Sequence, residues 1–311
     1  MKLLFSKYLL HLVLLIGLSQ FFISCEAKTK TYADNIILVA STPCNDQMKS
    51  LLGISADKKI DFIRWEISLA NEGATNDVFT LHINYGESQP NTLGFIHGGE
   101  KKSIEGDYTL TSQQDDSNRS ICHLKSTGLN GEMLIAKINS NLWHFLTPQE
   151  ELMVGNGGWS YTLNRKELLT DTNPEAVVSQ DFAEQDTATE IIFEGRTPCS
   201  EISKDKHLDT SPDCFKIKWK IVLNRDGKAG QNGTYTTNRT GHRQSAITGK
   251  WNIKKGIPSS PEAVVYELHP NTPDNSLSLW LADKNVAFIL DSDNRPFVGN
   301  ENFSYTLNRR Q

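Results

Sequence analysis

Positive charge is in short supply in this chain of 311 residues. Lys and Arg total 32 against 37 Asp and Glu, a formal charge of −5. A nucleic-acid binder needs a basic face, so that balance argues against the whole class. No apolar run long enough to span a membrane as a helix follows the first 25 residues. The chain has no Gly-x-Ser-x-Gly elbow, no phosphate loop and no His-Glu-x-x-His. It has no Cys-x-x-Cys either, the close spacing that structural zinc prefers. The carboxylate pairs Asp115-Asp116 and Glu150-Glu151 fall in polar stretches and read as solvated. Nothing here points to an enzyme, a metal or a cofactor. Long helical periodicity is missing as well, which leaves β structure.

The first residues carry an address. Lys2 and Lys7 precede an apolar core from Tyr8 to Phe22, too short for a membrane span. Phe22-Ile23-Ser24-Cys25 follows, a small residue directly before a cysteine. That ending resembles the lipobox of bacterial lipoproteins, which implies cleavage before Cys25 and acylation of its thiol. Residues 1–24 then form a signal peptide and 25–32 a polar tether. Loss of Lys2 and Lys7 takes the formal charge to −7. The expected location is the cell envelope, with lipid on Cys25 holding the protein to the outer membrane without spanning it.

The chain also repeats itself. Val154-Gly155-Asn156-Gly157-Gly158-Trp159-Ser160-Tyr161-Thr162-Leu163-Asn164-Arg165 returns 144 residues later as Val298-Gly299-Asn300-Glu301-Asn302-Phe303-Ser304-Tyr305-Thr306-Leu307-Asn308-Arg309. Ile63, Trp65, Ile67 and Leu69 match Ile217, Trp219, Ile221 and Leu223 at an offset of 154, and Thr42-Pro43-Cys44 matches Thr197-Pro198-Cys199 at 155. Matches kept in order along the chain mean a duplication. We place the repeats at 33–166 and 188–311. Between them, 167–187 is rich in acids, holds no basic residue, and reads as a solvated linker.

Within each repeat the apolar period is two. Ile217, Trp219, Ile221 and Leu223 point one way, and Lys218 and Lys220 the other. That alternation marks half-buried antiparallel strands. Turn signals such as Asn130-Gly131 and Asp226-Gly227 separate them. Eight or nine short strands in about 125 residues, with short helical turns only at Asp46–Leu52 and Ser200–Leu208, predict an all-β chain. The expected architecture is two tandem up-and-down barrels, since closure removes exposed strand edges.

In each repeat a short first strand, Thr-Pro-Cys, a helical turn and a meander with Gly106-Asp107-Tyr108 or Gly249-Lys250-Trp251 follow in order. This order resembles the N-terminal, lipocalin-like barrel of the NlpE-like copper-resistance lipoproteins. The family pattern is Pro-Cys-x-x-Cys, and the second cysteine is replaced here by Gln47 and Ile202. The resemblance therefore implies fold and envelope location, and not the metal.

Apart from Cys25, the cysteines are Cys44, Cys122, Cys199 and Cys214, an even number in an exported chain. One pair per repeat, Cys44–Cys122 and Cys199–Cys214, is the expected disulfide set, with a buried thiol at Cys122 as the alternative. Trp65 and Trp219 align on inward faces and read as core, or as the lining of a ligand cavity. Arg165 and Arg309 end the repeated strand and could close the barrel mouth or meet a ligand carboxylate. The function expected is binding or sensing of a small ligand or of envelope stress. The alternative is a module with filled barrels that engages another envelope protein or a surface glycan.

Overall fold

A computed structural model of the chain describes residues 35–71, 77–112, 119–169, 186–226, 232–240, 246–258, 260–270 and 276–310. The leader, Cys25, the tether and the middle of the acidic segment lie outside the described residues.

The chain forms two closed, eight-stranded antiparallel barrels. The first runs β1 (Ile36–Pro43), α1 (Asp46–Leu52), β2 (Phe62–Asn71), β3 (Asp77–Gly86), β4 (Glu100–Ser112), β5 (Ser120–Lys125), β6 (Glu132–Lys137), β7 (Leu142–Phe145) and β8 (Thr162–Arg165). The second runs β9 (Glu190–Thr197), α2 (Ser200–Asp205), β10 (Ile217–Arg225), β11 (Asn232–Thr240), β12 (Ile247–Ile257), β13 (Ser260–Pro270), β14 (Leu277–Leu281), β15 (Val286–Leu290) and β16 (Thr306–Arg309). Each strand pairs with the next, and the last closes on the first through Leu38↔Arg165 in one barrel and Arg309↔Phe193 in the other.

The period of two does what it should on the early strands. Ile217, Trp219, Ile221 and Leu223 are buried and Lys218 is exposed. Side chains fill both interiors. Trp65, Phe145 and Tyr161 pack ring on ring in the first barrel, and Trp251, Tyr266 and Phe193 in the second. A cavity among Trp219, Tyr235, Leu268 and Leu277 of the second barrel has a volume of about 20 Å3, room for about one water.

The alternation fails on the late strands, and the failure is informative. β7, β8 and β15 are buried at every position, and β6 at its four central ones. One face of each points into its own barrel. The other meets the opposite barrel. Leu134, Ala136, Leu142 and Leu146 pack with Val265, Trp280, Val286, Phe288 and Leu290 in a third core shared by both halves. Strands covered on both faces read as continuous apolar runs, as Val286-Ala287-Phe288-Ile289-Leu290 does.

This seam has a pseudo-two-fold axis. Three residues meet their own copies 144 positions on: Ser160 Oγ lies 2.6 Å from Ser304 Oγ, Thr162 Oγ1 2.8 Å from Thr306 Oγ1, and the His144 ring stands edge-on to Phe288. Off the axis the contacts are reciprocal. Gly155 N–H donates to Asn308 Oδ1 and Gly299 N–H donates to Asn164 Oδ1, both at 2.7 Å. The second half of the repeated motif thereby divides between two faces. Tyr161, Leu163, Tyr305 and Leu307 face their own barrels, while Ser, Thr and Asn between them face the other. Gly155 and Gly299 admit no side chain. A Cβ would come within 2.2 Å of the Trp159 or Phe303 carbonyl oxygen. A residue that contacts its own equivalent is the signature of an isologous interface, here fused into one chain.

The ends of the acidic segment are docked. Leu169 N–H donates to Asn141 Oδ1 at 2.9 Å, and Asp186 accepts from Arg309 Nη1 at 2.6 Å.

Candidate functional site

Thr-Pro-Cys and the aligned tryptophans meet in each barrel. Trp65 Nε1 donates to Thr42 Oγ1 at 2.8 Å, and Trp219 Nε1 to Thr197 Oγ1 at 2.9 Å. A buried indole N–H needs an acceptor, and the threonine of the motif supplies it. The two tryptophans thus sit in separate interiors. Arg165 turns back to the Glu167 carbonyl oxygen, through Nε at 3.0 Å. Arg309 holds Asp186. Burial alone would raise the Asp186 pKa, but the Arg309 hydrogen bond and the Ala188 N–H hold it below the usual carboxylate range. These four residues are therefore dispersed, and each is taken up by a contact within the fold.

The cysteines divide. Cys199, which opens α2, and Cys214, before β10, form a disulfide with Cα atoms 5.9 Å apart. In the chain-entropy picture a loop of that length stabilises the fold by about 3 kcal/mol. The expected Cys44–Cys122 bridge is not formed, and both remain thiols. The ladder gives the reason. Cys44 follows the end of β1, whereas Cys122 lies within β5, paired with Leu110 and Ile135, halfway round an eight-stranded ring. A disulfide requires Cα atoms about 6 Å apart. Burial pushes the Cys44 thiol up to about 11 and the Cys122 thiol up to about 12, so both stay protonated and weakly nucleophilic.

No group of three His, Cys, Asp or Glu side chains able to hold a metal occurs among the described residues. A groove of about 860 Å3 runs beside the seam, lined by Trp280, Phe297, Leu169, Asp205, Asp291 and Arg295 among others. Its charges are matched locally: Arg295 pairs with Asp291, and Asp205 accepts from Ser292.

A smaller cleft, of about 160 Å3, is different. Phe62, Arg64, Trp159, Arg196, Lys216 and Phe303 line it with the loop Ser88–Gly94, and no carboxylate does. Both barrels build it. Phe62 is sandwiched between Phe95 and Trp159, with ring centroids 4.1 and 4.8 Å away. The Arg196 guanidinium caps the stack, 5.1 Å from the Trp159 ring. Lys216 Nζ stands 5.9 Å from the Phe303 ring, and the Arg64 guanidinium 5.8 Å from Phe62. Arg64 Nη2 donates across the seam to Asn302 Oδ1 at 2.8 Å, while its Nε is buried with no hydrogen-bond partner. Burial lowers the pKa of all three cations. Only for Arg64 does a carboxylate, Glu301, work against it, and Arg196 and Lys218 depress Lys216 further.

Sequence reasoning passed over this cleft, although a signal was there. Ser41 and Phe62 of the first copy align with Arg196 and Lys216 of the second. The copies have diverged where they meet near the axis, and each divergence adds a cation. Set against known proteins, the chain matches no family model, no curated protein and no solved structure.

Proposed function

We propose that the chain is a non-catalytic envelope lipoprotein, tethered through Cys25, whose two barrels act together as one binding module. The observation that carries this reading is that the interiors are packed with aromatic and aliphatic side chains, while the open space lies outside them, along the seam. A lipocalin-type carrier would keep a ligand-sized hollow within the barrel. The resemblance to NlpE-like lipoproteins supports the same placement in the envelope, and the lipobox-like Ser24-Cys25 supports the anchor. Sensing or docking would then use the outer surface of the pair.

Native mass spectrometry of the protein purified from membranes tests both halves of this reading. The expected spectrum shows the polypeptide from Cys25 onward with acyl chains and no apolar cargo. Cys25→Ala should lose the acyl mass and leave the protein soluble. An apolar molecule released only on denaturation would make the chain a carrier. Membrane partition of the Cys25→Ala variant would refute the anchor.

A further inference from the structure

We propose that the aromatic-lined cleft at the seam binds a dianionic oxyanion, a phosphate or phosphomonoester group, between Arg64, Arg196 and Lys216. The proposal deepens the binding-module reading and rests on it for biological context, but its test does not depend on the anchor.

Three cations converge on one small space from both barrels. Glu301 offsets Arg64. Arg196 and Lys216 make no ion pair among the described residues and rest against aromatic faces instead. Like charges brought together and half-buried are costly unless something compensates them. Two positive charges remain uncompensated, which matches a dianion better than a monoanion. A bound anion would oppose the lowering that burial imposes on each of these cations.

Donor geometry points the same way. A guanidinium offers forked N–H groups suited to oxyanions, and an ammonium adds a point charge beside them. Arg64 Nη2 is held by the Leu93 carbonyl oxygen at 2.6 Å and Asn302 Oδ1 at 2.8 Å, which fixes its guanidinium at the wall of the cleft. The rings hold the cations in place: Trp159 fixes Arg196, and the stack of Phe95, Phe62 and Trp159 forms a wall. At about 160 Å3 the space admits a phosphate group with a small substituent, not a fatty chain or an oligomer.

The site also explains why the copies differ there. Strict symmetry would set Arg196 against a second arginine at position 41, with four or more cations crowding the axis. Instead Ser41 spends its hydroxyl on the Glu301 carbonyl oxygen at 2.7 Å, which ties the barrels together on one side of the cleft. One copy supplies most of the aromatic wall and the other two of the three cations.

Isothermal titration of the full chain in a non-ionic detergent, at neutral pH and low salt, tests the proposal. The probes are inorganic phosphate, glycerol phosphate, glucose 1-phosphate and sodium acetate. Saturable one-to-one binding of phosphate or a phosphomonoester is expected, with acetate at least tenfold weaker. Arg196→Gln and Lys216→Gln should each weaken it tenfold or more. Lys250→Gln, which removes an exposed charge on β12, should leave it unchanged. Tighter binding of the esters would identify a phosphorylated lipid or sugar headgroup as the source, and equal binding free phosphate. Circular dichroism checks that the variants remain folded. Absence of saturable binding by every phosphate probe, equal binding by acetate, or equal affinity in all three variants would overturn the proposal.

Discussion

Residues 186–311, produced without the first barrel, are expected to associate as a dimer rather than persist as a monomer. Taken alone, the second barrel would expose Val265, Trp280, Val286, Phe288 and Leu290, which the seam now buries. Each large apolar side chain left in water forfeits about 1.5–3 kcal/mol. The cheapest cover is a second copy, because the interface is made of residues that contact their own equivalents. Ser304 and Thr306 can each meet themselves, and Asn308 can meet Gly299 of the other copy. The same physics makes its stability depend on concentration. Analytical ultracentrifugation across a hundredfold range of concentration checks this. A folded, monodisperse monomer throughout would mean that the seam contributes little.

The second large effect concerns acid. His144 is fully buried in the seam, with Nδ1 2.9 Å from Thr162 Oγ1 and Nε2 2.9 Å from the Met153 carbonyl oxygen. A carbonyl oxygen only accepts, so Nε2 carries the proton. In the neutral ring Nδ1 then accepts from Thr162, which in turn accepts from Thr306 of the other barrel. Burial drives the His144 pKa from 6.5 down to about 4, against the Met153 hydrogen bond and with a small push from Arg119. The sign follows from linkage. The unfolded chain takes up a proton near pH 6.5 and the folded chain does not until about pH 4. Stability from this group is complete above pH 6.5 and is lost as pH falls toward 4, by about 3 kcal/mol in all. His144→Phe copies the residue found at Phe288. It should be less stable near pH 7.5, because the Met153 carbonyl loses its donor, yet far less sensitive to acid. Denaturant midpoints at pH 7.5 and 4.5 for both proteins measure the difference. Equal losses on acidification would show that His144 does not govern it.

Much of the fold was legible because the first strands of each repeat keep a clean period of two. Ile63-Trp65-Ile67-Leu69 and its copy state both the strand and its buried face. The duplication was legible for the same reason. The seam was harder to read. On β15 and on Met133-Leu134-Ile135-Ala136 the apolar run is continuous, and such a run says that both faces are covered without saying by what. Ser160 and Thr162 are buried against their own copies and Asn164 against Gly299, contacts that a polar alternate on a strand does not announce. The cleft escaped notice because none of its residues forms a local motif. Arg64, Arg196 and Lys216 lie on separate strands or strand margins and come together only when two barrels dock. Cysteine arithmetic fared half well. A spacing of 15 residues across one loop closes naturally, and Cys44 and Cys122 stand on opposite sides of a ring.

The barrels meet about a pseudo-two-fold axis through the repeated motif, and a cross-link across that axis is its most direct test. With hydroxyl oxygens 2.6 Å apart, Ser160 and Ser304 are placed for a disulfide once both are cysteine. The double variant Ser160→Cys, Ser304→Cys is purified without reductant and digested for peptide mapping. A 160–304 cross-linked peptide within single chains is expected at high yield. Two freely alkylated thiols in a folded, oxidised protein would contradict it.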